Sequence, residues 1–212
     1  RIHSVGWYTV TPARRPSIGE WRPGAPNTAE GRKSVAQLND NPIRVGLLGA
    51  GTVGSQTARL LVEQKDELAA RIGRPIELVG VACLDPDEVD FPWIDKSLLT
   101  TDTMKVATNA DIVVELIGGT TVARTFVMAA IESGASVVTA NKALLAKYGP
   151  EIYTAAEAKG VDIYFEAAVG GAIPFLLPLR ESLAGDKVTS MLGIVNGTTN
   201  YILDEMTTKG LQ

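Results

Sequence analysis

From Pro42 onward, short unbroken apolar runs alternate with longer stretches whose apolar residues recur at helical spacing. Ile43–Gly49 (IRVGLLG) has the continuous hydrophobicity of a strand buried on both faces, while Val53–Leu68 places Leu60, Leu61 and Leu68 on one side of a helix. The alternation continues with expected strands at Ile76–Leu84, Asp111–Ile117, Ser136–Thr139 and Asp162–Phe165, and expected helices at Ala123–Ser133 and Pro150–Lys159. Strands that alternate with helices build right-handed βαβ units on a parallel sheet. The pattern therefore predicts an α/β fold, a doubly wound Rossmann-type parallel sheet, over residues 42–166.

The texture changes on either side. After Glu166 come EAAVGGAIPFL, a helix expected around Phe175–Leu183, a strand expected at Lys187–Asn196 and a helix after Gly197. These elements are too few to cover one another's apolar faces, so residues 167–212 read as the truncated start of a second domain. Residues 1–41 carry Pro12, Pro16, Pro23 and Pro26 and no apolar period, and are expected to be a disordered or non-native extension. An arginine-rich targeting peptide is the alternative there. The chain opens on Arg1, not methionine, and its true beginning is expected to lie further upstream.

Composition narrows the chemistry. Hydrophobic residues at 45%, charged residues at 21% and a mean hydropathy of +0.11 describe a globular chain. A formal charge of −4, from 20 basic and 24 acidic residues, gives no case for a nucleic-acid partner. One cysteine, Cys83, excludes an internal disulfide, and with His3 as the single histidine it leaves too few soft ligands for zinc. In its apolar strand, Cys83 reads as a small buried hydrophobe. No apolar run approaches the roughly 18 residues of a membrane span, and no signal-peptide core is present, so no membrane partner and a cytoplasmic location are expected.

Gly49-Ala50-Gly51-Thr52-Val53-Gly54 is G-x-G-x-x-G between an apolar strand and an amphipathic helix. The first glycine permits the tight turn, the second lets a pyrophosphate approach the backbone, and the third lets helix and strand pack closely. Helix N–H groups and the helix dipole then favour the phosphates. Asp85 ends the second strand, later than the usual spacing of about 20 residues for a ribose-binding acid. It could hold the 2′-hydroxyl of NAD, or serve as a turn residue in Asp85-Pro86-Asp87. Two further loops follow strands at the same edge. Ile117-Gly118-Gly119-Thr120-Thr121 offers glycines for backbone approach and Thr120 or Thr121 for the cofactor or a helix cap. Thr139-Ala140-Asn141-Lys142 places Asn141 and Lys142 where a cofactor or a carbonyl oxygen could be met.

Taken together, GLLGAGTVG, DIVVELIGG, VVTANKALLAKYG, EAAVGGAIPFL and NGTTNYILDEM resemble the homoserine dehydrogenase family, in order from about residue 42 to residue 212. The resemblance implies NAD(P)H-dependent hydride transfer interconverting L-aspartate 4-semialdehyde and L-homoserine, in threonine, methionine and isoleucine biosynthesis. It implies that Gly49, Gly51, Thr52, Val53 and Gly54 hold the pyrophosphate, that Thr120 lies along the cofactor, and that Lys142 sits near nicotinamide and substrate, with Asn141 beside it at the cofactor. It makes residues 167–212 the beginning of an α+β catalytic and dimerisation domain, with Gly197 and Thr198 in the substrate cleft and a homodimer or larger assembly for the full-length protein. The family's structural sodium ion maps onto Glu166, Val169, Gly171 and Ile173, and a carboxylate with carbonyls suits a hard cation.

Two departures follow. Leu84-Asp85 stands where the family often has an arginine, which leaves NAD and NADP both open. The family's main catalytic aspartate and lysine are expected beyond Gln212; Asp204 and Glu205 do not match them, so these 212 residues alone are expected to bind dinucleotide weakly and turn over negligibly. The alternatives are a non-catalytic dinucleotide-sensing module and an oxidoreductase of similar architecture acting on another aldehyde.

Overall fold

The computed structural model describes residues 41–193 and 197–210. The extension expected over residues 1–41 thus lies, apart from Asn41, outside the described residues, as do the last three positions of the strand expected over 187–196. Six parallel strands form one sheet: β1 (Ile43–Leu48), β2 (Ile76–Ala82), β3 (Leu99–Thr100), β4 (Ile112–Glu115), β5 (Ser136–Thr139) and β6 (Ile163–Tyr164), in the spatial order β3-β2-β1-β4-β5-β6. The chain runs outward from β1 to β3, then returns to β4 on the other side of β1. The carboxyl ends of β1 and β4 therefore flank the crevice where ligands bind in such sheets.

Helices cover both faces: α1 (Thr52–Glu63), α2 (Lys65–Ile72), α3 (Thr103–Thr108), α4 (Thr121–Glu132) and α5 (Lys142–Lys159), with α6 (Gly197–Lys209) beyond the sheet in sequence. One apolar cluster joins Val106 of α3, Val127 and Ile131 of α4, and Leu144 and Ile152 of α5 to the strands. The other joins Ala58 of α1 to Leu47, Leu78, Val81 and Leu99. Two strand glycines let α3 settle on the sheet: a Cβ at Gly46 would come within 2.9 Å of the Val106 carbonyl oxygen, and one at Gly80 within 3.1 Å of Val106 Cγ2. No helix among the described residues is long and apolar enough to cross a membrane.

The structure corrects four expectations and adds one pair of elements. The helix read as Val53–Leu68 is two, parted at Gln64; Asp66 and Glu67 favour a new helix start there, and Gly73, in the left-handed conformation, ends the second. The helix read as starting at Pro150 starts at Lys142, because Asn141 caps it by accepting the Leu144 N–H at 3.0 Å, and Pro150 sits within it. The short pair β3 and α3 carries too little period to be read from sequence. Lys187–Gly193 is exposed and pairs with no strand, and a strand cannot form without a neighbour to take its backbone hydrogen bonds. Of the helix expected around Phe175–Leu183, a single wide turn forms at Pro178–Ser182.

Candidate functional site

The loop after β1 has the form its glycines require. Gly49 has φ +109°, and a Cβ there would lie 2.8 Å from the Leu116 carbonyl oxygen in the loop after β4. Gly54 is buried, and its Cβ would lie 2.0 Å from the carbonyl oxygen of Gly49. Gly51 differs: nothing lies within 4 Å of the place its Cβ would take, so this stretch of backbone is open to a ligand. Gly51 is also the N-cap of α1 and supplies no side-chain cap, and the first turn holds no acidic residue. The first N–H groups of a helix have no intrahelical acceptor, so those of Thr52, Val53 and Gly54 suit an anion at this end. Thr52 and Val53 are exposed beside it.

Asp85 stands exposed just past β2, and its Oδ1 accepts the Asp87 N–H at 2.9 Å, so the turn role is present while the other carboxylate oxygen is open to a partner. Leu84 beside it is exposed as well. Cys83 donates weakly from Sγ to the Thr100 carbonyl at 3.7 Å, and burial pushes its thiol pKa up, which fits packing and not redox work.

The loops after β4 and β5 meet through a buried polar cluster. In the sheet register Leu48 pairs with Glu115 and Glu115 with Thr139, which puts the Glu115 and Thr139 side chains next to each other on one face. Thr139 Oγ1 donates to Glu115 Oε2 at 2.6 Å, and Glu115 Oε1 accepts the N–H groups of Ile117 at 3.0 Å and Gly118 at 3.2 Å. Asn141 donates from its backbone to Thr139 Oγ1 at 3.0 Å and from Nδ2 to the Gly119 carbonyl at 2.6 Å. Asn141 is therefore buried and occupied at both ends of its amide, while Lys142, the first residue of α5, is exposed at the carboxyl edge. Thr120 occupies the N-cap of α4 without a side-chain capping bond, which leaves its hydroxyl for another partner. Glu115 and Thr139 escaped the sequence reading. Their signal was an acid placed inside the apolar run DIVVELIGG, where burial demands partners.

The other sequence candidates lie elsewhere along the chain. Glu166 carries a short helical turn, Glu166–Ala168, and its carboxylate accepts the N–H groups of Phe175, Leu176 and Leu177, which hold its pKa below the ordinary range, Phe175 contributing most. Gly170 and Gly171 follow with φ +76° and +62°. Gly197 and Thr198 open α6 and are exposed. Among the described residues no three acidic, histidine or cysteine side chains gather as a metal site. A shallow concavity of about 680 Å³ lies at the opposite, amino-terminal end of β1, against Arg44, Arg74 and Asp111, far from the glycine loops that carry the ligand chemistry.

A six-stranded parallel sheet in this order, with a glycine turn and an uncapped helix start at its switch point, defines a dinucleotide-binding domain. Residues 49–166 match the family model for the homoserine dehydrogenase NAD-binding domain, and residues 174–212 match the model for homoserine dehydrogenase. The chain belongs to the homoserine dehydrogenase family. It is 53% identical over 173 residues to the homoserine dehydrogenase of Corynebacterium glutamicum, covering 79% of this chain and 38% of that protein. It is 45% identical over 169 residues to that of Bacillus subtilis, covering 77% and 38%. Among solved structures, a homoserine dehydrogenase from Thiobacillus denitrificans superposes with TM-score 0.72 at 48% identity, over 81% of this chain and 40% of that one. The Staphylococcus aureus enzyme at pH 7.5 gives 0.66 at 28%, over 82% and 40%. The chain thus spans about two fifths of the length of these relatives.

Proposed function

We propose that this protein is a homoserine dehydrogenase, interconverting L-aspartate 4-semialdehyde and L-homoserine with a nicotinamide dinucleotide. The observation that carries the reading is the open backbone at Gly51 beside an uncapped helix start, in a chain whose two parts match the family's two domain models. The match beyond the sheet, over residues 174–212, favours a dehydrogenase over a non-catalytic sensor of the same fold. We take residues 42–166 as the cofactor domain and 167–212 as the beginning of the catalytic domain.

The dinucleotide, when bound, would supply the hydride in its reduced form and accept it in its oxidised form. The residues then divide the work. The backbone of Gly49, Gly51, Thr52, Val53 and Gly54 receives the pyrophosphate. Asp85 is placed to accept from the adenosine ribose of NAD, and both NAD and NADP stand as the cofactor. Thr120 offers its hydroxyl along the cofactor, and Asn141 holds the Gly119 carbonyl in place. Lys142, the cation of this edge, stabilises negative charge developing on the substrate oxygen. Gly197 and Thr198, at the start of α6, line the substrate side.

A sodium ion fits the chain in kind at Val169, Gly171 and Ile173, whose carbonyls lie in irregular backbone shaped by two left-handed glycines. Glu166 joins them less directly, since its carboxylate is engaged by backbone N–H groups. Assembly of copies through the second region, and a cytoplasmic location, suit the enzyme. The test is the full-length protein with L-aspartate 4-semialdehyde: aldehyde-dependent loss of NADH or NADPH absorbance is expected, and no loss with either cofactor overturns the reading.

A further inference from the structure

We infer that Glu115 is a positioning residue that fixes the nicotinamide side of the cofactor site, a role that rests on the dinucleotide reading above. Gly118 and Gly119 have φ +79° and +70°, left-handed backbone that turns the chain sharply after β4 and leaves N–H groups in need of an acceptor. That acceptor is the chain's own. Glu115, fully buried, places one oxygen against the N–H groups of Ile117 and Gly118. The N–H groups of Ile117 and Gly118 are thereby taken from inside, and the uncapped helix start after β1 is left as the place for an external phosphate.

The same carboxylate reaches the other two loops. Its second oxygen accepts from Thr139, which accepts from the Asn141 backbone, and Asn141 in turn ties the Gly119 carbonyl to the start of α5 beside Lys142. On the opposite side, the Leu116–Ile117 backbone that Glu115 steadies is the surface against which Gly49 packs, with Leu116 N–H donating to the Leu48 carbonyl at 2.8 Å. Among the described residues Glu115 forms no ion pair, so neutral donors alone hold a buried acid in place. Such a cluster works as a unit: every donor needs this acceptor, and a half-satisfied version is worse than an apolar one. Glutamine keeps the shape but turns one acceptor into a donor, which then faces either Thr139 or the Ile117 and Gly118 N–H groups.

The experiment measures binding of NADH and of 5′-AMP to the full-length protein and to Glu115→Gln, Thr139→Val and Thr139→Ser. The adenosine of 5′-AMP meets the end of β2, which this cluster does not touch, and its phosphate meets the start of α1, which Glu115 reaches through no hydrogen bond and only by way of the Gly49 contact, so 5′-AMP reports the half of the site that Glu115 does not bond. Expected are a loss of NADH affinity of about tenfold or more in Glu115→Gln and in Thr139→Val, 5′-AMP affinity within about twofold of the starting protein, and Thr139→Ser within about twofold for both. A merely structural role would weaken both ligands together. Parallel loss, or no loss of NADH affinity in either Glu115→Gln or Thr139→Val, overturns the inference while leaving dinucleotide binding in place. A starting protein that binds no NADH overturns the dinucleotide reading as well.

Discussion

Gly54 faces Gly49 so closely that a Cβ on Gly54 would stand 2.0 Å from the Gly49 carbonyl oxygen. That contact lets α1 begin directly behind the turn, and it sets Gly54, whose place is packed, apart from Gly51, whose place is open. Gly54→Ala must displace backbone, at a cost on the order of 3 kcal/mol, and should lower Tm by roughly 6–12 °C. Gly51→Ala meets open space at φ −76°, where any residue fits, so its Tm should fall by no more than about 3 °C. Its methyl group nevertheless occupies the phosphate approach, and NADH affinity should drop about tenfold or more. Calorimetry and binding on the two variants check this; equal Tm losses, or unimpaired binding in Gly51→Ala, would contradict it.

Lys142 is the first residue of an 18-residue helix, and a cation there opposes the helix dipole. Its placement works against fold stability, and a functional role accounts for it. Lys142→Met should hold or slightly raise Tm while lowering kcat by about 10²-fold or more, the scale of losing a charge stabiliser at a developing oxyanion. A variant of undiminished kcat would remove Lys142 from the chemistry.

Asp85 sets the cofactor preference if its free oxygen meets the ribose. Asp85→Ser removes the charge that a 2′-phosphate would face and keeps a short polar side chain able to cap the Pro86–Glu88 turn. The ratio of kcat/KM for NADPH over NADH should rise by about tenfold. An unchanged ratio would reduce Asp85 to its turn role.

How far the sequence revealed these features depends on whether the relevant physics is local. The turn at Gly49, Gly51 and Gly54 was legible because a motif, the strand before it and the helix after it are contiguous, and the central strands were legible as unbroken apolar runs. Glu115 was not, because its partner Thr139 is 24 residues away and the two become neighbours only through sheet register. Pro150 misled for a related reason: a proline reads as a helix start, while the cap that starts α5 is Asn141, whose other bonds reach across to Gly119. Lys187–Gly193 has strand composition, but strand formation is decided by a neighbour, not by the segment.

At the opposite edge of the sheet, Arg44 donates to both oxygens of Asp111, and the Arg44 backbone N–H donates to Oδ2 at 2.8 Å, joining β1 to the start of β4. Arg44's hydrogen bond holds the Asp111 carboxyl below its ordinary value of 3.8. A carboxylate whose folded pKa is lowered adds stability that is present above the ordinary value and is lost as pH falls through the lowered one. Asp111→Asn should therefore lower Tm by about 2 °C at neutral pH, a small effect because both side chains are nearly half exposed, and the difference should vanish in acid well below pH 3.8. Melting both proteins across this range checks it; a constant gap would show that charge is not the cause.

Glu166 offers the same sign in a different setting. Its carboxylate gathers three consecutive N–H groups, Phe175, Leu176 and Leu177, at the entry to the Pro178–Ser182 turn, and thereby folds back the chain that leaves the sheet. Those bonds, Phe175's first, lower its pKa from the ordinary 4.5, so the loop they close should stay protected as pH falls to that value and open only below it. Amide exchange at 175–177, corrected for intrinsic rates, should speed up by roughly tenfold across that drop, and Glu166→Ala should show the faster rate at neutral pH. The measurement also bears on the sodium reading. If the cation takes the carbonyls of Val169, Gly171 and Ile173, added sodium should slow exchange around Gly170 and Gly171 and leave the three amides bound to Glu166 unchanged. A sodium-dependent change at 175–177 would instead mean that the carboxylate leaves its N–H partners for the metal.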